Sequence, residues 1–313
     1  MQLPKPGVVA HADWSVAPEK RWLCVASRHG RGYTVAAPEP VDDCDTLGTR
    51  LMLRSVDRAV LLGVDFPLGL PLAYARQAGA TSFIEFLDQA GHGRWRDVYR
   101  LCDTAEEICT TRPFYPARPG GTRQADLCKG LNVTDIDELR RRCERKTESR
   151  GAAAPLFWTL GGQQVGRAAI AGWQALLSER DASPQVRLWP FEGGLARLLA
   201  PETVVVAETY PAESATQLGL KAPGRGWSKR RQSDRAQHAV ALRHWAFSRR
   251  VEFSDELAAL LRDGFGDLNV GEDMFDALLG VAGMLEVLLG RRPEMPPLSN
   301  ERRVIEGWIL GQC

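Results

Sequence analysis

The stretch VLLGVDFPLGLP, residues 60–71, decides how this chain is read. With the preceding Ala59 it is continuously apolar up to Val64, the pattern of a strand covered on both faces. It stops abruptly at Asp65, and Phe66-Pro67 leads into a Gly69-Leu70-Pro71 turn. A second run of this kind, TVVVAETYPAE at 203–213, ends its apolar part at Glu208. Both buried strands therefore finish on a carboxylate that hydrophobic patterning does not call for.

Upstream, the first forty residues read as a meander: VVAHADWSV broken by Asp13, then RWLCVAS and YTVAA, separated by PEK and RHGRG turns. Segment 42–56 has helical spacing. From Leu72 to about Ala200 the helical patterns TSFIEFLDQAG, TDIDELRRRCERK and VGRAAIAGWQALLSE alternate with Pro/Gly-rich loops. Beyond the second buried strand come a basic helical region, a short acidic helix near 254–263 and a long helix from about Glu272 to Gly290. The order predicts an α/β protein: a mixed sheet flanked by helices, built from 1–71 and 201–313, with 72–200 as a large, mainly helical insertion.

Composition narrows the class. The 313 residues are 44% hydrophobic and 25% charged, the balance of a globular protein rather than a disordered or collagen-like one. Lys+Arg 40 against Asp+Glu 39 leaves a net charge of +1, so any polyanion site is local rather than spread over the molecule. Residues 274–290 carry Asp276, Glu286 and three glycines, too short and too charged for a bilayer span. The opening MQLPKPGVVA lacks the basic start and apolar core of a secretory leader. The seven cysteines, none spaced C-x-x-C, are accordingly read as reduced thiols of a cytoplasmic protein. The C-x6-C-x18-C-x14-C spacing of Cys102, Cys109, Cys128 and Cys143 lacks the tight pairs of structural zinc.

Acids stand out at five positions: Asp13, Asp65, Glu208, and Asp273 with Asp276 at the start of the long helix. Three apart, the last two share one side of that helix, on a stripe continued by Gly280, Gly283 and Val287. Such a small-residue face would press closely on the sheet and aim Asp276 at the strand ends. Converging carboxylates repel one another and are costly to bury. Hard divalent cations such as Mg²⁺ or Mn²⁺ remove that penalty, and two of them about 4 Å apart suit hydrolysis of a phosphodiester.

The strings VAHADWS, VLLGVDFPLGLP, VVVAETYPAE and GEDMFDALLGVAGMLE resemble the bacterial and archaeal family labelled domain of unknown function 429. The resemblance spans about residues 8–310, and D-x-P-x-G-L-P is its most specific element. It implies a ribonuclease H-like core and nuclease activity. By motif it maps the family's acids onto Asp13, Asp65, Glu208 and Asp276. The D-x-x-D-A-L form from Asp273 to Leu278 is also similar to the last helix of Holliday-junction resolvases, which implies a place for Asp273 in the acidic site.

Residues 221–250 hold nine Lys/Arg and one Asp, with Trp227 and Trp245 among them, a composition suited to phosphates and unpaired bases. The following 252–276 holds eight acids and one Arg, which can answer that basic charge instead. Lys229, Arg230 and Arg231 are the candidate phosphate clamp, and Ser15, Arg112 and Tyr115 are further candidate substrate contacts. Arg140-Arg141-Arg142 and Arg145-Lys146 read as a solvated face of an amphipathic helix, Phe157-Trp158 and Gln163-Gln164 as core or cleft. His11 lies two before Asp13, on its face of a strand.

The expectation is a nuclease with two Mg²⁺ or Mn²⁺ ions held by Asp13, Asp65, Glu208, Asp273 and Asp276, acting on nucleic acid of a type the residues leave open. Two alternatives stand beside it. One is an ATP-using phosphotransferase of the actin and sugar-kinase type, with Asp13 and Ser15 near the nucleotide's metal. The other is a non-catalytic nucleic-acid-binding module.

Overall fold

The two runs that end on Asp65 and Glu208 lie side by side at the centre of a mixed sheet. The computed structural model describes residues 3–147, 151–161, 164–183, 185–220 and 228–313. Among these, the strands are β1 (Val8–Asp13), β2 (Trp22–His29), β3 (Gly32–Val35), β4 (Glu39–Pro40), β5 (Ala59–Val64), β6 (Val186–Leu188), β7 (Thr203–Glu208) and β8 (Val251–Phe253). Their order is β6-β7-β5-β1-β2-β3-β8, with β4 paired to β2. Neighbours β1, β2 and β3 are antiparallel, whereas β1, β5, β7 and β6 run parallel to one another and β8 runs parallel to β3.

The first helices are α1 (Leu47–Arg54), α2 (Leu72–Ala78), α3 (Phe83–Gln89), α4 (Gln124–Gly130), α5 (Val165–Ala182) and α6 (Leu195–Leu198). They are followed by α7 (Pro211–Gln217), α8 (Gln232–Ala236), α9 (Ala239–Arg249), α10 (Asp255–Asp263), α11 (Val270–Leu288) and α12 (Asn300–Ile305). No helix among the described residues is long and apolar enough to cross a membrane.

Two compact units share the chain. The first takes the described residues up to Asp65, of 178–296 and of 309–313; the second takes those of 66–177 and 297–308. The insertion expected at 72–200 thus starts earlier and ends earlier. Residues 178–200 belong with the sheet because Val186–Leu188 adds a strand beside β7, a three-residue run too short to read from pattern. The segment 297–308 returns to the second unit, where Leu70 N–H donates to the Ile305 carbonyl at 2.8 Å. Gly69, at φ 127°, lies so close to this segment that a Cβ would stand 2.1 Å from the Glu306 carbonyl oxygen, which is why the D-x-P-x-G-L-P turn needs glycine there.

In the second unit, the expected helix over 134–146 is instead two short 3₁₀ turns, Ile136–Leu139 and Arg142–Glu144. Arg141 between them is fully buried, not solvated. Its guanidinium pairs with Glu144 at 2.7 Å and also donates to the Leu68 carbonyl, so the charge is satisfied inside the unit. Phe157 is core, tilted against Tyr74 and edge-on to Phe114, while Trp158 is half-buried.

In the first unit, α11 lies across the sheet and every residue from Phe275 to Leu288 is buried. A helix buried all round belongs to a core, and each fully buried Leu or Val contributes about 1.5–3 kcal/mol. That apolar surplus lets the helix carry two buried carboxylates, Asp276 and Glu286.

Candidate acidic site

Register alone brings the first two acids together. Strands β1 and β5 are parallel with Ala12 opposite Val64, so the next residues, Asp13 and Asp65, leave the sheet side by side at its carboxyl end. The Trp14 amide donates to Asp65 Oδ1 at 2.7 Å, which orients that carboxylate.

The third acid arrives by helix packing. His11 points to the face covered by α11, where a Cβ on Gly280 would stand 2.2 Å from the imidazole ring. From that contact, Asp276 lies four residues back along the helix, about 6 Å. Asp13 lies two residues on along the strand, about 6.6 Å. The two paths end together, and Asp273 follows one turn further back. The small-residue stripe divides in its role: Gly280 meets the sheet at His11, whereas Gly283 lies against Ser214 of α7.

Electrostatics record the convergence. The Asp13 carboxyl is pushed well above its ordinary range by burial and then by Asp65, Asp276 and Asp273. Burial raises Asp65 to about 7 against the Trp14 hydrogen bond, with Asp276 adding to the rise. Asp273 is raised to about 6 by burial, Glu272 and Asp276. Burial also raises Asp276, and Lys229 opposes that rise. Neutral forms are favoured because buried like charges have no counter-charge sufficient to hold them all.

Among the described residues, the ammonium in contact with Asp276 comes from Lys229. Its Nζ contacts Asp276 Oδ2 and stands 3.3 Å from Glu272 Oε1. Burial works against the charged lysine, and Asp276, Glu272 and Asp13 together outweigh it, so its pKa is raised. Asp276 Oδ1, by contrast, is buried with no hydrogen-bond partner. As the side chains stand, no three His, Cys, Asp or Glu among the described residues are grouped to hold one ion; the cation beside Asp276 is the lysine.

The other sequence candidates fall elsewhere, except Arg230, which pairs with Glu272 at the edge of the cluster. Val64 pairs in register with Glu208, so by strand alternation Glu208 points to the face of Ala12 and Val64, away from that of His11 and Asp13. Both runs end on an acid, but their ends differ by one residue, and one residue changes the face. The Ser15 hydroxyl accepts from the Ala17 amide at 3.3 Å. Arg230 is 80% exposed, 3.6 Å from Glu272, and Arg231 pairs with Asp234. Arg112 pairs with Glu107 at 2.8 Å and the Tyr115 hydroxyl bonds Asp126 at 3.0 Å, both within the second unit. Gln163 and Trp227 lie outside the described residues. Trp245 is buried and bonded to Glu286, and among the described residues of the basic region Phe247 is the exposed aromatic.

Sequence reasoning missed Glu272, Arg235 and the place of Lys229 among the acids. Glu272 had a signal, one helical turn before Asp276 on the same face. Arg235 had none: fully buried, it donates to the carbonyls of Gly264, Gly266 and Lys229. His11 is buried, neutral with its pKa pushed down to about 3 by burial, and without a hydrogen-bond partner at either nitrogen.

Compared with protein-family models, curated proteins and solved structures, the chain matches none.

Proposed function

We propose that this protein is a metal-dependent phosphodiester hydrolase acting on nucleic acid through a ribonuclease H-like core. The observation that carries the reading is the meeting of acids from three separate elements at one end of the sheet, with a buried Asp276 oxygen left unpartnered. Further support comes from topology: an antiparallel β1-β2-β3 meander, α1 after it, then β5 and β7 added in parallel beside β1, and a long helix across them. That is the order expected of a ribonuclease H-like sheet, and it supports this reading.

The donor set fits Mg²⁺ or Mn²⁺ in kind, since every candidate ligand is a carboxylate oxygen. Asp13, Asp65 and Asp276 would hold the ions, with Asp273 in support, and Glu208 is left out of the set. When bound, such ions supply Lewis acidity toward phosphoryl oxygens and make water a stronger acid. The chain's own residues do the rest. The Trp14 amide keeps Asp65 oriented, and the half-buried Lys229 offers positive charge at the edge of the cluster. The close seat of Gly280 on His11 fixes the distance between helix and strand. The kinase-type alternative needs two like domains, and the second unit holds no named strand among its described residues.

Single-stranded, duplex, hybrid and branched substrates incubated with Mg²⁺, Mn²⁺ or EDTA test this directly. Metal-dependent cleavage of at least one class is expected, falling at least about a hundredfold in Asp65→Asn with an unchanged circular-dichroism spectrum. Full turnover in a folded Asp65→Asn protein would overturn the assignment.

A further inference from the structure

Among the described residues, the Lys229 ammonium stands amid five carboxylates, Asp13, Asp65, Glu272, Asp273 and Asp276. Lys229 touches Asp276 and Glu272 and acts electrostatically on Asp13, Asp65 and Asp273. Its root is fixed. The Lys229 carbonyl accepts from Arg235 at 2.6 Å, and Arg235 is itself clamped to Gly264 and Gly266. The neighbouring Ser228 amide donates to Asp234 at 2.7 Å. The four-carbon side chain that carries the ammonium is 32% exposed. Anchored backbone and adjustable ammonium describe a charge that can be withdrawn without unfolding anything.

A single positive charge satisfies one Asp276 oxygen and leaves the other bare. A lysine ammonium offers one charge and three donors, against the two charges and about six oxygen positions of a divalent cation. With the ammonium on Oδ2, no three acids among the described residues are grouped for one ion.

Resting on the hydrolase reading, we propose that Lys229 is a built-in counter-cation: it neutralises Asp276 in the metal-free protein and is displaced from it when a divalent ion enters. Metal entry thereby exchanges one ion pair for another, and the lysine lowers metal affinity in return for holding the acids together without metal. Glu272 gives the displaced ammonium a second partner one helical turn away.

Two measurements on the full chain test this. The first is calorimetric titration with Mn²⁺ of wild type, Lys229→Met and Lys229→Arg. Lys229→Met is expected to bind at least about tenfold more tightly and to melt lower than wild type in EDTA, the gap closing with Mn²⁺. Lys229→Arg, whose fork grips a carboxylate more firmly, is expected to bind more weakly than Lys229→Met. The second is carbon NMR of lysine-labelled protein under Mg²⁺ titration, with Lys229 assigned by its loss in Lys229→Met. Its ε-methylene signal is expected to move to the position of a solvated lysine in step with Mg²⁺ binding. An ε-methylene signal that stays put while Mg²⁺ binds overturns the counter-cation proposal and leaves the metal site standing. Absence of binding by wild type and Lys229→Met alike removes the metal site, and the proposal with it.

Discussion

Helix α11 carries two buried carboxylates ten residues apart, and they live in opposite surroundings. Glu286 accepts from the Trp245 indole at 2.8 Å and from Arg249 at 2.6 Å, with the second Arg249 nitrogen 3.4 Å from its other oxygen. Asp276 has one oxygen on Lys229 and the other on nothing, with Asp13 and Asp65 beside it. Burial is common to both, so burial does not mark a functional acid. What separates them is the neighbourhood: a surplus of positive donors around one, a surplus of negative groups around the other. A carboxylate matched by donors holds α9 against α11; a carboxylate crowded by its own kind asks for a cation.

The largest effect that would break this comparison is on activity. Asp276→Asn is expected to lower metal-dependent cleavage at least about a hundredfold, whereas Glu286→Ala keeps the wild-type rate at temperatures where it is folded. Equal losses in steady-state assays would erase the distinction. On stability the order reverses. Glu286→Ala strands the Trp245 N–H and the Arg249 guanidinium, at a cost of about 2–3 kcal/mol, readable by urea denaturation; Asp276→Asn in EDTA costs less, because it also removes repulsion.

Packing beneath the acids gives a third, smaller contrast. Gly280→Ala puts a methyl 2.2 Å from the His11 ring, an overpacking expected to cost about 1–3 kcal/mol and to lower Mn²⁺ affinity by moving Asp276 off Asp13. Gly290→Ala, beyond the end of the same helix in open space but at φ 70°, is the control: destabilised by its backbone conformation, with Mn²⁺ affinity kept.

The finest test is pH. Asp65 at about 7 and Asp273 at about 6 both titrate above the 3.8 of an unfolded aspartate. Between roughly pH 4 and 7 the folded state therefore holds protons the unfolded state has released, and the cluster's contribution to stability falls as pH rises through that window. In EDTA the melting temperature is expected to decline from pH 5 to pH 7.5, less steeply in Asp65→Asn and less steeply with Mn²⁺ present. Glu179, buried against the Gly48 amide and raised by burial to about 7, adds a slope of the same sign that Asp65→Asn leaves in place. A wild-type slope unmoved by Mn²⁺ would count against a cation entering the cluster.

Much of this was legible before any coordinates. The apolar runs at 59–64 and 204–207 predicted strands β5 and β7, because a strand covered on both faces carries that pattern. The glycine stripe on the last helix predicted a close approach to the sheet, and Gly280 makes it. The three-residue strands β6 and β8 were not legible, since runs that short carry no period to detect. Nor was the state of Arg141, read as solvated and found buried, because a charged residue enters a core only where a partner such as Glu144 waits.

By itself the sequence determined which strands are buried, where each ends, and that each ending carries an acid; those are properties of local pattern, written residue by residue. Which acids share a place was decided by tertiary structure alone. Register set Asp65 beside Asp13 and turned Glu208 to the other face, and the seat of Gly280 on His11 delivered Asp276. A one-residue offset between two strands leaves no trace in either strand's own composition, yet it reverses the direction of a side chain, because alternation along a strand has a period of two.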